Sequence, residues 1–331
     1  MNKPCQRTLR GLFLVTFLAA TVLPQAGGQT RGRQSSHRKP AAIATMPPAP
    51  QPKFKLTCSL PQLTSDPIAI DKGCGARGNS QAGSNSANQN MIKNRFCLPG
   101  APTTPIEIDF DDIDALQKAA QDNHIPFGRK EVIKNGKTTS VENLPPDRSR
   151  LVDLITVKGQ KLGEGSLVTL EAFVFKAQHS NTFVFSSGGE SCNCNKTSLA
   201  SNDIHIALSR TEAGAQTMGE SSECETVTAE INPHHRNDVY NRFDTNPADF
   251  LNGKQQKQGQ DKLKGQPLPL QGARVRVTGQ LFFDGSHSPC RNGHGGPPRR
   301  SIWEVHPVFS IEVFDKSQNS FVPFTEWAKN H

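Results

Sequence analysis

Two short patterns in this chain place a carboxylate and an imidazole two residues apart, Asp203-Ile204-His205 and Glu304-Val305-His306. On an extended strand, side chains at i and i+2 point to the same face. Each pattern therefore offers an oxygen and a nitrogen from one face. Ile204, Ile206 and Leu208, or Trp303, Val305, Phe309, Ile311 and Val313, take the opposite face. A third pair, Asp284 and His287, follows the end of another alternating run. Brought side by side, Asp203, His205, Asp284, His287, Glu304 and His306 would form a mixed N/O set suited to zinc or a similar divalent metal. Such a site activates water for hydrolysis. The same residues also serve as a buried polar network in which each histidine is held by a carboxylate and fixes strand register. Sequence alone does not bring strand faces together, so the network is the default reading and the metal site the alternative. There is no H-E-x-x-H zinc spacing, no G-x-S-x-G elbow and no phosphate-binding loop, and Gly73-Cys74-Gly75-Ala76-Arg77-Gly78, although it spells G-x-G-x-x-G, reads as loop chemistry rather than as a strand-to-helix dinucleotide fingerprint.

These residues need strands to position them, and the C-terminal half supplies the pattern. Val275, Val277, Leu281 and Phe283 alternate with Arg274, Arg276, Thr278 and Gln280, and the run from Trp303 to Val313 keeps the same period of two. Further strands are expected at Ser166 to Lys176, Asn202 to Leu208 and Val227 to Ile231. Five or six strands with mostly short connections predict a mainly β fold, a small closed OB-like barrel over residues 151–331. Two insertions, residues 232–269 and Gly285 to Arg300, read as polar solvent loops. Within the first, His234-His235-Arg236 offers a weak anion contact, and Lys254, Lys257, Lys262 and Lys264 read as solvation. Residues 56–150 read as a Cys-containing α/loop region with a short helix near Met91 to Cys97. A second helix begins at Asp111, Asp112 and Asp114, where acids favour the helix dipole, and Ile113, Leu116, Ala119 and Ala120 repeat at helical spacing.

The N-terminus sets the compartment. Lys3, Arg7 and Arg10 precede an apolar run from Gly11 to Leu23, so residues 1–28 read as a secretory signal cleaved near Gly28. The run is shorter than the roughly 20 residues of a bilayer span. Cys5 lies ahead of it, out of place for lipid attachment, so the expectation is a periplasmic or secreted protein with no transmembrane segment in its mature chain. Residues 29–55 form a basic, Pro-rich linker. The formal charge of +8 is concentrated in these two segments, which hold nine bases and no acid, leaving −1 for the remainder. That near-neutrality argues against a broad nucleic-acid face. Arg274 and Arg276 share a strand face and Arg299-Arg300 flank the loop before the last strand, so they are the candidate ligand-facing bases. Past Cys5 there are seven cysteines, Cys58, Cys74, Cys97, Cys192, Cys194, Cys224 and Cys290. Disulfides are expected in an oxidising compartment, and the odd count leaves one thiol over. Cys192-Asn193-Cys194 is a weaker candidate for metal binding or for thiol redox chemistry.

Several segments resemble a group of uncharacterised exported bacterial proteins with a C-terminal OB-like barrel. They are Asn94 to Gly100, Asn202 to Ile206, Cys224 followed by Val227 to Pro233, Val275 to Asp284 and Trp303 to Pro307. The resemblance spans most of the chain past residue 70, with the Gln/Lys insertion as the clearest departure. It implies a fold and brings no activity. The expected function is a non-enzymatic binding or structural module of the envelope or external medium. Polysaccharide, peptidoglycan or protein is expected as partner ahead of nucleic acid, with the metal-dependent hydrolase as the alternative.

Overall fold

The computed structural model describes residues 73–94, 104–180, 189–234, 236–251 and 262–331. The expected signal and linker, Cys58, Cys97, the matching residues 95–100, His235, Lys254 and Lys257 lie outside the described residues.

The chain is mainly β, and its C-terminal region closes a five-stranded barrel. In chain order the elements are α1 (Asn85–Lys93), β1 (Ile106–Ile108), α2 (Phe110–Asp122), the hairpins β2 (Arg129–Lys134) with β3 (Lys137–Glu142) and β4 (Ile155–Val157) with β5 (Gln160–Leu162), then β6 (Leu167–His179) and β7 (Ile204–Ser209). After them come α3 (Glu212–Gln216), α4 (Glu220–Glu223), β8 (Val227–Ile231), β9 (Arg274–Phe283), β10 (Trp303–Asp315), β11 (Ser320–Pro323) and α5 (Phe324–Trp327). Around the barrel the order is β6-β7-β8-β10-β9 and back to β6, with β8 and β10 parallel and the other seams antiparallel. Numbered within the barrel this is 1-2-3-5-4-1, the closed Greek-key order of an OB barrel.

The alternation read from sequence fills the barrel. Val168, Leu170, Ala172, Val174, Ile204, Ile206, Leu208, Val227, Ala229, Ile231, Val275, Val277, Leu281, Phe283, Trp303 and Val305 belong to one buried apolar cluster. Phe283 and Trp303 meet edge to face with ring centroids 5.1 Å apart. Burying a side chain of this size contributes about 1.5–3 kcal/mol. The described part of residues 56–150 shares that core, because Ile106, Ile108, Phe110, Ile113, Leu116 and Ala120 join the same cluster and β1 pairs in parallel with β6.

Several expectations need correction. The first helix covers Asn85–Lys93, starting earlier than the expected Met91: Ser84 caps it by accepting a hydrogen bond from Ala87 N, and Asn94 ends it. The second matches expectation. Asp109 and Asp112 form a reciprocal capping box there. Phe309 does not share the face of Val305: β10 shifts register between Val305 and Val308 and again between Val308 and Ser310, so Val308 is buried and Phe309 half-buried. Gly279 lies opposite this bulge, where a Cβ would stand 2.5 Å from Pro307 O. Neither insertion is merely a solvent loop. Phe243 and Asp244 in the first and Arg299 in the second are at most 2% exposed. Arg236 donates to the carbonyls of Asn202 and Leu199, which leaves it a structural bond rather than a free anion contact.

Disulfides join Cys74 to Cys194 and Cys224 to Cys290. Cys192 is a buried free thiol. Cys192 and Cys194 therefore do not act as a thiolate pair on one metal. No helix among the described residues is long and apolar enough to cross a membrane.

Candidate functional site

The six predicted residues meet on the face of the barrel opposite the apolar one, His205, Glu304 and His306 by strand parity and Asp203, Asp284 and His287 from just beyond strand ends. His205 of β7 pairs with Glu230 of β8, and Glu304 of β10 lies level with Thr228 of β8 and Phe282 of β9. Helix α1 roofs this face. Gln280 donates to Ile92 O at 3.4 Å, Gln89 donates to Asp284 Oδ1 at 3.1 Å, and Lys93 Nζ stands 5.7 Å from the Phe282 ring centroid.

Under that roof the distances are short. His205 Nε2 lies 3.0 Å from Glu190 Oε1 and 3.3 Å from Glu230 Oε1. His306 Nδ1 lies 2.7 Å from Glu230 Oε2 and 3.8 Å from Glu304 Oε2. His287 Nδ1 lies 2.8 Å from Asp284 Oδ2. Lys93 Nζ sits 3.6 Å from each of Glu190, Glu230 and Asp284, and Arg299 is paired with Glu304. A second buried pair, Arg148 with Glu164, braces the edge: the arginine also donates to Phe283 O at 2.6 Å.

The electrostatics follow from this crowding. Burial alone would depress Lys93, but Glu230, Asp284 and Glu190 hold its ammonium well above the usual value. Burial also opposes charge on His205, yet Glu230 and Glu190 raise it to about 9. Glu230 and Asp284 are pushed up by burial and pulled well below the ordinary range by the cations beside them. Asp203 and Glu304 move the other way. Burial and the neighbouring carboxylates raise both.

Unsatisfied atoms mark the same place. Asp203 Oδ1, Glu230 Oε2, Glu304 Oε2 and both ring nitrogens of His306 are buried without a hydrogen-bond partner among the described residues. The 2.7 Å approach of His306 Nδ1 to Glu230 is thus close but badly directed for a hydrogen bond. Ligand atoms of Asp203, Glu230 and His306 lie within 4.8 Å of one another, as do those of Glu190, His205 and Glu230, and those of Asp284, His287 and Glu304. A cavity of about 780 Å³ opens on the cluster, lined by Asn90, Lys93, Glu190, His205, Glu230 and His287 among others. His205 and His287 are each 29% exposed, whereas Glu230 and His306 are at most 1% exposed. A larger recess of about 970 Å³ beside Arg274, Phe314 and Trp327 includes none of these residues.

Sequence reasoning missed Glu230, Lys93, Glu190 and Arg299 as members of the cluster. Glu230 was within reach, since it is the outward residue between Ala229 and Ile231 on an expected strand. Lys93 and Glu190 arrive from a helix and a loop, which no strand periodicity reveals. Arg274 and Arg276, expected to face a ligand, instead engage Glu171 and Glu312 and lie over Phe314 and Phe321. Arg300 pairs with Asp114 at 2.6 Å. Cys192 Sγ lies 3.3 Å from Glu190 Oε2, and its thiol is pushed well above the usual value by burial and by Glu190 and Asp203, which suits an inert thiol better than a reactive one. Comparison with protein-family models, curated proteins and solved structures finds no match.

Proposed function

We propose that this protein is an exported hydrolase in which Asp203, Glu230 and His306 hold one divalent cation of the zinc class, with the adjoining cavity taking a small phosphoester. The observation that carries this reading is the triad itself: three convergent N/O ligands, each at most 1% exposed, with Asp203 Oδ1, Glu230 Oε2 and both ring nitrogens of His306 making no well-directed hydrogen bond among the described residues. Three protein ligands with a further position open is the arrangement of catalytic zinc sites. Asp203, Glu230 and His306 would hold the cation, which when bound would lower the pKa of a water to about 7 and make it a nucleophile towards phosphorus.

The chain's own residues divide the remaining work. Arg129 on the cavity wall offers a cation to an anion, and His205, held at Nε2 by Glu190 and Glu230, keeps its Nδ1 for a proton to the leaving oxygen. The location fits the fold, because OB barrels bind ligands on the face of their second and third strands and on the loops that flank it. Here that face carries His205 and Glu230, and the flanking loops carry Glu190 and His287. A near-neutral globular part favours a small phosphoester over a polynucleotide. Two disulfides fit export to an oxidising compartment.

The binding or structural module expected from sequence is the second reading. It is favoured by Lys93 and Arg299, which between them already approach Glu190, Glu230, Asp284 and Glu304. On that reading envelope polysaccharide, peptidoglycan or a protein occupies the cavity. Hydrolysis of bis(p-nitrophenyl) phosphate by the purified full chain separates the two. Turnover abolished by EDTA, restored by zinc and reduced at least about 100-fold in folded His306→Ala would support the hydrolase. Absence of turnover with or without zinc would leave the binding module.

A further inference from the structure

Beside the triad of Asp203, Glu230 and His306, the barrel face carries further convergent ligand atoms, and there a cation of the chain itself stands among them. Ligand atoms of Asp284, His287 and Glu304 lie within 4.8 Å of one another, and Arg299 is paired with Glu304 and stands 3.9 Å from Asp284 Oδ2. Those of Glu190, His205 and Glu230 converge as closely, and Lys93 approaches both glutamates. The lysine is the more informative of the two, because an ammonium is a compact point charge, as a metal ion is.

Lys93 Nζ lies 3.6 Å from Glu190 Oε2, from Glu230 Oε2 and from Asp284 Oδ2. These separations exceed the roughly 2.7–3.2 Å of an N–H···O hydrogen bond, so the ammonium is centred among three carboxylates rather than bonded to one. Glu230 faces two ways. Its Oε2 approaches His306 Nδ1 of the triad at 2.7 Å, and its Oε1 approaches His205 Nε2 at 3.3 Å, as a carboxylate shared by two cations does. Glu190 Oε1 lies 3.0 Å from that same Nε2, so a cation replacing the proton there meets all three ligand atoms together. The two ions of a two-metal centre stand about 3.5–4 Å apart. The helix end is fixed in place: Asn232 Nδ2 donates to Lys93 O at 3.3 Å and Gln280 to Ile92 O at 3.4 Å. Lys93 is 5% exposed, on the wall of the cavity that Glu190, His205 and Glu230 also line, so an ion from solvent can reach its place.

We propose that Lys93 stands in the place of a second metal ion: its ammonium offsets the charge of Glu190, Glu230 and Asp284, holds the barrel face to one divalent cation, and keeps closed a second site of the zinc class made by Glu190, His205 and Glu230. The inference rests on the reading in which Asp203, Glu230 and His306 hold the first cation. One imidazole nitrogen and two carboxylate oxygens suit zinc. Repulsion enforces the exclusion, because an ammonium and a dication sharing the same two glutamates are like charges in a buried place that salt screens little.

The test reads the zinc content of the full-length protein after stripping with EDTA, reloading with excess zinc and desalting, for wild type, Lys93→Met and the double variant Lys93→Met with Glu190→Gln. The expected result is one equivalent more in Lys93→Met than in wild type, lost again in the double variant. One equivalent in both wild type and Lys93→Met would overturn the inference and leave the triad standing; no zinc in either would overturn both. Zinc absent from wild type, present at one equivalent in Lys93→Met and lost in the double variant would support the inference and overturn the triad as a metal site. An added equivalent that survives Glu190→Gln lies elsewhere and overturns the inference. If Lys93→Met does not fold without metal, refolding decides: a native circular dichroism spectrum regained in excess zinc supports a metal in the ammonium's place, and a variant unfolded with or without zinc overturns it.

Discussion

Asp284 has no exposed surface, yet its carboxylate is held charged. Burial pushes its pKa up, and Lys93, His287 and Arg299 together pull it well below the ordinary carboxylate range. A depressed folded pKa contributes stability that is fully present above the unfolded value of about 4 and is lost as pH falls through the folded value. Asp284→Asn should therefore cost about 3 kcal/mol at pH 7, because removing one partner leaves buried cations uncompensated. Urea unfolding at pH 7 and near pH 2 checks this, and the gap should narrow from about pH 4 downward, closing only as pH falls through the depressed folded value. A gap of equal size at both would show that the carboxylate's charge is not what matters. The members of the cluster that lie on or just past strands were legible from i, i+2 or i, i+3 spacing, and all six predicted positions meet in one network. Lys93, Glu190 and Arg299 were not legible, because their contribution depends on long-range packing that leaves no local period.

Between elements, the β9–β10 seam is where the site's geometry is set. The bulge after Val305 lets His306 stay on the polar face while Val308 turns inward, and Gly279 makes room for it. A Cβ at Gly279 would meet Pro307 O at 2.5 Å and the Val305 side chain at 2.6 Å. We predict that Gly279→Ala destabilises by about 1–3 kcal/mol through overpacking, whereas Gly75→Ala, with nothing within 4 Å of its Cβ, stays near neutral. Thermal melts of the two variants decide it, and equal melting temperatures would contradict the close approach. The five barrel strands were readable because each alternates over at least five residues. The bulge was not, since a two-residue period carries no mark of an added residue. The three- and four-residue strands β1, β4, β5 and β11 are too short to show a period at all.

For the whole molecule, cross-links and a shared core tie the N-terminal segments to the barrel. The Cys74–Cys194 bond spans 120 residues and brings the segment before α1 against the loop that carries Glu190. Cys224–Cys290 closes 66 residues and is predicted to contribute about 4 kcal/mol by restricting the unfolded chain. Cys290→Ser should lower the urea midpoint accordingly, and an unchanged midpoint would argue that the bond does not form. Disulfide use was legible from cysteine number and the N-terminal segment; the partners were not, because pairing is decided by the fold. The barrel face is proposed to bind a divalent cation through Asp203, Glu230 and His306. Calorimetric titration of zinc into the EDTA-stripped full chain, beside Glu230→Gln, tests it most directly. A tight equivalent in wild type that is absent from folded Glu230→Gln is the expected result; identical titrations of the two proteins would contradict it and make this cluster a buried ion-pair network.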